Sequence, residues 1–216
     1  MKRFFSYFWP TTRQFSSEIN GTLEVTYFNG KKVLDTENAN YSYGSLQKIL
    51  EFGLTKVDLK SVENLLLLGM GGGSVIHSLR NTFEYKKNIV AVEIDPAIIK
   101  LAENEFGIST SEELQIIEAD AFKFVKNSKE KFDLVIIDLF IDTNVPPIFY
   151  GKEFCENISI LLQKNGSIIF NVGINLEKDS VANETVSSNF GSGLKFLVYP
   201  KVNDTNTLLI GKKFAS

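Results

Sequence analysis

A chain of 216 residues, 44% apolar and 23% charged, is long enough for one well-buried domain with a small appendage. Its formal charge of −3, with lysines scattered as in KNSKEK (126–131), leaves no basic footprint for nucleic acid. A single cysteine, Cys155, and a single histidine, His77, set aside disulfides, cysteine- or histidine-based metal centres and a Ser–His–Asp hydrolase.

The chain opens on MKRFFSYFWP, whose apolar part is too short for a signal peptide, and no later run reaches membrane-spanning length. A cytoplasmic protein with no membrane partner is therefore expected. The FFSYFW segment is expected to pack on its neighbours or against a second copy, which makes the N-terminal region the candidate homodimer surface. LEVTYF (23–28) and KKVLD (31–35) flank Asn29-Gly30, a pair that accepts the positive φ angles of a type I′ turn, so a β-hairpin is predicted. YSYGSLQKILEFGL (41–54) reads as a turn leading into a short helix.

From Asn64 the pattern alternates between strand and helix. Strands are predicted at 64–69, 88–94, 114–119, 132–140 and 167–173, and helices near 74–83, 96–106, 120–128, 150–163 and 177–189. LKFLVYP and TLLIGKK add two further strands. The succession predicts an α/β fold with a doubly wound, mostly parallel seven-stranded Rossmann-like sheet and a small N-terminal β-hairpin region. The expected division is 1–55 for the hairpin region with its connecting helix, and 56–216 for the nucleotide-binding unit. Any ligand crevice should lie at the C-terminal ends of the strands.

The acids fall where such a crevice needs them. Gly69, Gly71 and Gly73 follow the first strand, Glu93 and Asp95 end the second, Asp120 with Ala121 follows the third, and Asp138 ends the fourth. The glycines let backbone approach a ligand, and Glu93, 24 residues after Gly69 (93 − 69), is placed to accept ribose hydroxyls. Asp120 is a candidate for the adenine amine, with a helix N-cap as its structural alternative. A dinucleotide fingerprint requires glycine where Ser74 stands. The acids after strands three and four instead fit an adenosyl sulfonium, S-adenosylmethionine or its decarboxylated form, with no metal. Tyr41, Tyr43, Phe140 and Phe149 are candidate pocket walls, although packing is the default for aromatics. His77 is expected on an exposed helix face and Cys155 in the core.

LLLLGMGGGSVIHSL, VAVEIDPAIIKLAENEFG, LQIIEADAFKFV and FDLVIIDLFIDTNVPPIFYGKEF together resemble the spermidine synthase family, within the class I S-adenosylmethionine-dependent methyltransferase fold. SEINGTLEVTYFNGKKVLD is similar to that family's small β-domain. The resemblance implies that Gly69, Gly71 and Gly73 form the donor loop, that Glu93 holds the ribose and Asp120 the adenine. It makes Asp138 the catalytic aspartate, which receives a proton from the attacking amine. The segment from Asp142 to Tyr150 corresponds to the loop that closes over substrate, and Tyr43, Asp142 and Tyr150 become substrate candidates.

Three departures mark the chain. Gly72 stands where polyamine-making members carry a loop aspartate. Tyr43-Gly44-Ser45 replaces their Tyr-His-Glu, and Asp138-Leu-Phe-Ile-Asp142 replaces their Asp-Ser-(Ser/Thr)-Asp-Pro. Two carboxylates that would grip a cationic amine are missing. The expectation is therefore a group transferase that moves a methyl group to a small-molecule acceptor, an amine among the candidates, with Asp138 as the base or as the group that positions the attacking amine. Aminopropyl transfer from the decarboxylated donor and a non-catalytic nucleoside-binding module are the alternatives.

Overall fold

The computed structural model describes residues 9–36, 40–141, 144–173 and 180–214. The segment before Trp9, and Asp142 with its neighbour Thr143, lie outside the described residues.

The Asn29-Gly30 pair takes φ angles of 49° and 74°, and Phe28 pairs with Lys31 across the turn, so the hairpin forms as its dipeptide dictates. The hairpin is part of a larger unit than the sequence suggested. β1 (Thr11–Ser17), β2 (Gly21–Phe28), β3 (Lys31–Thr36) and β4 (Asn40–Ser42) form a four-stranded antiparallel sheet in chain order. β1 escapes a pattern-based reading because it is a largely exposed edge strand, TTRQFSS, with no alternation to detect. Leu23, Val25 and Leu34 of this sheet pack against Ile98 and Leu101 of helix α3, described below.

The second sheet has seven strands in the order β10-β11-β9-β8-β5-β6-β7. They are β5 (Asn64–Leu68), β6 (Asn88–Glu93), β7 (Leu114–Glu118), β8 (Phe132–Ile137), β9 (Leu162–Gly173), β10 (Leu194–Val202) and β11 (Asn206–Lys213). Only β11 runs against its neighbours; β5 to β9 pair in parallel. The helices α1 (Ser45–Leu54), α2 (Ser74–Asn81), α3 (Pro96–Phe106), α4 (Ala121–Asn127), α5 (Lys152–Leu161) and α6 (Ser180–Asn189) are distributed over both faces. The apolar run of β5 shows why: Leu65 and Leu67 enter one core, with Ile49, Leu50 and Leu54 of α1, while Leu66 and Leu68 enter the other, with Phe154 and Ile158 of α5. This is the doubly wound, Rossmann-like arrangement expected of the class I S-adenosylmethionine-dependent methyltransferase fold.

Boundaries differ where local chemistry intervenes. β8 stops at Ile137, before Asp138, and the predicted helix from 150 starts at Lys152 after a 3-10 turn, Pro147–Tyr150. β9 begins directly after α5, with Asn165 at φ 61° turning the chain where the sequence offered only a polar QKNG stretch. Pro96 opens α3 and Gly107, at φ 70°, closes it. Among the described residues no helix is long and apolar enough to cross a membrane.

Two carboxylates tie the small sheet to α3: Glu105, which pairs with Arg13 and Lys32, and Asp95. Asp95 caps α3 by accepting from the Ala97 N–H, and its other oxygen accepts from Ser17 Oγ and Asn20 Nδ2 in the β1–β2 turn. Asp95→Ala removes a helix cap and leaves two polar groups unpaired. It should lower stability in urea unfolding by roughly 1–3 kcal/mol, with Asn20→Ala costing a smaller part of that. Equal stability of Asp95→Ala and the parent protein would contradict the tie.

Candidate functional site

The C-terminal ends of four adjacent strands, β8, β5, β6 and β7, meet at a pocket of about 230 Å³. Gly69, Glu93, Asp120, Ala121 and Asp138 line it, one group from each strand end. Phe140, Ile148 and Phe149 supply an apolar wall from the segment that follows β8. Gly71, Gly73, Asp95, Tyr43 and Tyr150 stand outside this lining, and Asp142 lies outside the described residues. Among the described residues the charged lining groups are three carboxylates, with no lysine, arginine or histidine.

The glycine loop owes its shape to Glu93. Gly69 and Met70 both donate to the Val92 carbonyl, and Gly71 N–H donates to Glu93 Oε2 at 2.9 Å. Glu93 Oε1 accepts from the N–H groups of Ile94 and Asp95 at 2.9 and 3.1 Å. Burial pushes the Glu93 carboxyl up from its ordinary value; the three N–H groups oppose that shift, and the Asp95 charge adds to it. A carboxylate offers about four acceptor sites, so one remains here for a donor such as a hydroxyl. Gly69 has φ 84°, and a Cβ there would lie 2.1 Å from the Asp138 carbonyl oxygen, so the crossing of the two chain segments demands glycine. Gly73, at φ 85°, meets Ile108 in the same way and starts α2.

Asp95 is the helix cap and inter-sheet tie described above. Asp120 also caps a helix, α4, accepting from the Lys123 N–H at 2.8 Å, while lining the pocket. Its structural alternative and its pocket position therefore coexist.

Asp138 is partly buried, and its backbone is fixed by a bond from its N–H to the Leu68 carbonyl. Its Oδ1 accepts from Asn171 Nδ2 at 2.9 Å. Loss of water pushes the Asp138 carboxyl from the ordinary 3.8 up to about 6, a rise that the Asn171 bond holds back. A carboxyl with that value changes its protonation near neutral pH, as a general base must. Asn171 is fully buried on β9 and accepts from Asn206 Nδ2 at 3.0 Å. Neither asparagine stands out as a site residue in the sequence. The available signal was an amide inside the apolar run SIIFNVG, whereas VNDTNT gave Asn206 the look of a turn residue.

The departures in sequence have structural counterparts. A Cβ on Gly72 would meet Ser42 Cβ at 3.1 Å and Leu34 Cδ2 at 3.3 Å, so the small sheet occupies the space that a loop side chain would need. Tyr43, at φ 71°, stacks on Phe106 with 4.6 Å between ring centroids and donates to the Gly72 carbonyl at 3.2 Å. Burial pushes its hydroxyl pKa up. Tyr150 donates to the Val172 carbonyl at 2.9 Å, one residue from the end of β9. His77 is exposed on α2 and Cys155 is buried in the core. Among the described residues no cluster of His, Cys, Asp and Glu of metal-binding size is found.

An acidic, partly apolar pocket at these strand ends fits a cationic, hydroxyl-bearing nucleoside and would repel a pyrophosphate. The model of the spermine/spermidine synthase domain matches residues 48–200, more than half of the sequence. The chain belongs to the spermine/spermidine synthase family. A protein of Bifidobacterium longum named a probable polyamine aminopropyl transferase is 26% identical over 221 residues, 95% of this chain and 48% of its own length. The chain spans about half the length, or less, of the curated relatives it matches. Among solved structures, a probable spermidine synthase from Corynebacterium glutamicum superimposes with a TM-score of 0.69, covering 94% of this chain and 81% of its own at 16% identity. Human methyltransferase-like protein 13 in complex with SAH superimposes with a TM-score of 0.65, covering 80% of this chain and 83% of its own at 22% identity, which shows the shared fold. Family and relatives weigh toward aminopropyl transfer, the alternative in the sequence analysis, and away from methyl transfer as the first reading.

Two outcomes follow from this geometry. Gly69→Ala combines a strained φ with a backbone clash and should destabilise by about 2–4 kcal/mol in denaturant unfolding. The second concerns pH. A carboxyl whose value rises on folding from 3.8 to about 6 contributes stability that is full below about pH 4 and lost as pH rises through 6. Asp138→Asn removes that loss. Its stability relative to the parent protein should climb between pH 4 and 6 and level off above, and a pH-independent difference would refute the raised value.

Proposed function

We propose that the chain transfers a 3-aminopropyl group from decarboxylated S-adenosylmethionine to an amine, with Asp138 as the base. The observation that carries this reading is Asp138 itself, a partly buried carboxyl with a value near 6, set on the wall of an acidic pocket beside Gly69 and Glu93. Membership of the spermine/spermidine synthase family and the name carried by the relative in Bifidobacterium longum support the choice of group transferred.

The sulfonium donor supplies a good leaving group, so the protein's work is orientation, exclusion of water and proton removal. Glu93 accepts from the ribose hydroxyls and Asp120 with Ala121 borders the adenine. Asp138 holds the acceptor ammonium and takes the proton its nitrogen sheds. The nitrogen lone pair forms the new C–N bond, and the C–S bond breaks with its electron pair returning to sulfur, leaving a neutral thioether. Phe140, Ile148 and Phe149 keep water from the reacting carbon.

Methyl transfer to the same class of acceptor is the second reading. One observation favours it: Ser42 and Leu34 fill the space beside Gly72, where an acid would otherwise grip the donor's amine.

Incubation with either donor and a set of linear diamines, read by mass spectrometry, tests both. The expected product is an aminopropylated amine formed only with the decarboxylated donor, and Asp138→Asn should slow it by on the order of 10²–10⁴-fold. A methylated amine formed from S-adenosylmethionine, with no product from the decarboxylated donor, would overturn the first reading in favour of the second.

A further inference from the structure

Asp138 is not alone at its end of the sheet. On the far side of β9 from β8, the first residue of β11 reaches back toward it through one intermediary. Asn206 Nδ2 donates to Asn171 Oδ1 at 3.0 Å, and Asn171 Nδ2 donates to Asp138 Oδ1 at 2.9 Å. Both asparagines are withdrawn from water, Asn171 with 0% and Asn206 with 4% of its surface exposed. The β9–β11 register slips by one residue between Thr207 and Leu208, opposite Val172, where the two amides meet.

A side-chain amide has two ends, and which end faces a neighbour decides what it can do. Asn171 has that choice removed. Its Oδ1 also accepts from the backbone N–H of Gly173 at 3.3 Å, and a backbone N–H can only donate. With Gly173 and Asn206 both donating to the same atom, that atom must be the oxygen, and the NH₂ end is left for Asp138. The reverse orientation would set three donors against one another in a buried site and point a carbonyl oxygen at the carboxylate.

We infer that Asn206 is a positioning residue that acts through Asn171, locking the Asn171 amide so that it presents an N–H, and never a carbonyl, to Asp138. The lock has two consequences. Asp138 Oδ1 is engaged by Asn171, which leaves Oδ2 to meet a ligand in the pocket. The carboxylate form is also favoured over the acid, so Asn206 holds down the pH at which Asp138 becomes a base. Among the described residues the titratable groups that line the pocket with Asp138 are Glu93 from β6 and Asp120, the cap of α4; Tyr150, outside the lining, has its hydroxyl bonded to Val172. None of them contributes to the Asp138 shift, which burial raises and Asn171 lowers. The relay stands on contacts within the protein; its kinetic consequence rests on the proposed role of Asp138 as base.

The test reads Asp138 directly. Labelling of aspartate carboxyl carbons, with the resonance assigned by its loss in Asp138→Asn, gives the midpoint in the ligand-free protein, expected near 6. Asn206→Leu removes the donor that locks Asn171. Asn206→Asp is close to isosteric but turns the donor into an acceptor, which draws the Asn171 N–H away from Asp138. The midpoint should rise in both, by roughly one unit or more in Asn206→Asp. Unchanged midpoints in variants that retain the parent's circular dichroism overturn the inference.

If neither variant folds, the parent protein decides. The Asn171 side-chain NH₂ resonances should shift with the midpoint of Asp138, and their insensitivity to that titration overturns the relay. The acid limb of kcat/KM for aminopropyl transfer should move with the carboxyl midpoint while KM for the donor stays unchanged. A limb that stays put while the midpoint moves would contradict the link from relay to rate. A midpoint that moves in a protein that makes no aminopropylated product leaves the relay standing and refutes the reaction.

Discussion

The bond from Gly71 N–H to the Glu93 carboxylate joins the glycine loop after β5 to the end of β6, and the site is built outward from it. Without an acceptor at that place, a loop of consecutive glycines would lose its shape, since glycine has the largest backbone entropy to surrender. Glu93 accepts one N–H from the loop, that of Gly71, and two from Ile94 and Asp95, so the buried carboxylate pins the loop to the end of β6 while keeping one acceptor position for a ligand. Two residues on, Asp95 turns away from the pocket, caps α3 and holds the β1–β2 turn. One short segment, VEIDP, therefore sets both the floor of the pocket and the docking of the small sheet.

The electrostatics follow from that arrangement. Among the described residues three carboxylates converge with no cation in the lining, so the pocket is biased toward positive charge before any ligand arrives. The three are not equivalent. Glu93 is engaged by three backbone donors and Asp120 caps α4, whereas the Asp138 side chain has one hydrogen bond among the described residues and a value raised to about 6. The contrast with the glycine loop is instructive. At Gly72 the small sheet presses Ser42 and Leu34 against the backbone, which leaves little room for a side chain there.

Much of this was legible in the sequence because it rests on local chemistry. Consecutive glycines after an apolar run, Pro96 at a helix start, the Asn29-Gly30 turn and acids at successive strand ends each announce themselves by residue type and spacing. The elements that escaped reading depend on partners far away in the chain. β1 is exposed and has no alternation, so only its pairing with β2 makes it a strand. Asn171 and Asn206 are 35 residues apart, and their meaning exists only when β9 and β11 are neighbours. The sequence also favoured methyl transfer, because Gly72 stands where polyamine-making members carry an acid; the three strand-end acids were equally visible, and it is membership of the family that weighs against methyl transfer.

The central claim is that this pocket is shaped by its carboxylates to prefer a donor without a carboxylate of its own. Titration calorimetry with decarboxylated S-adenosylmethionine and with S-adenosylmethionine, under one buffer and salt condition, tests it most directly. The account predicts that the decarboxylated form binds at least about tenfold more tightly, since the other ligand brings a like charge to three acids in a site screened from water. Equal affinity, or tighter binding of S-adenosylmethionine, would contradict it.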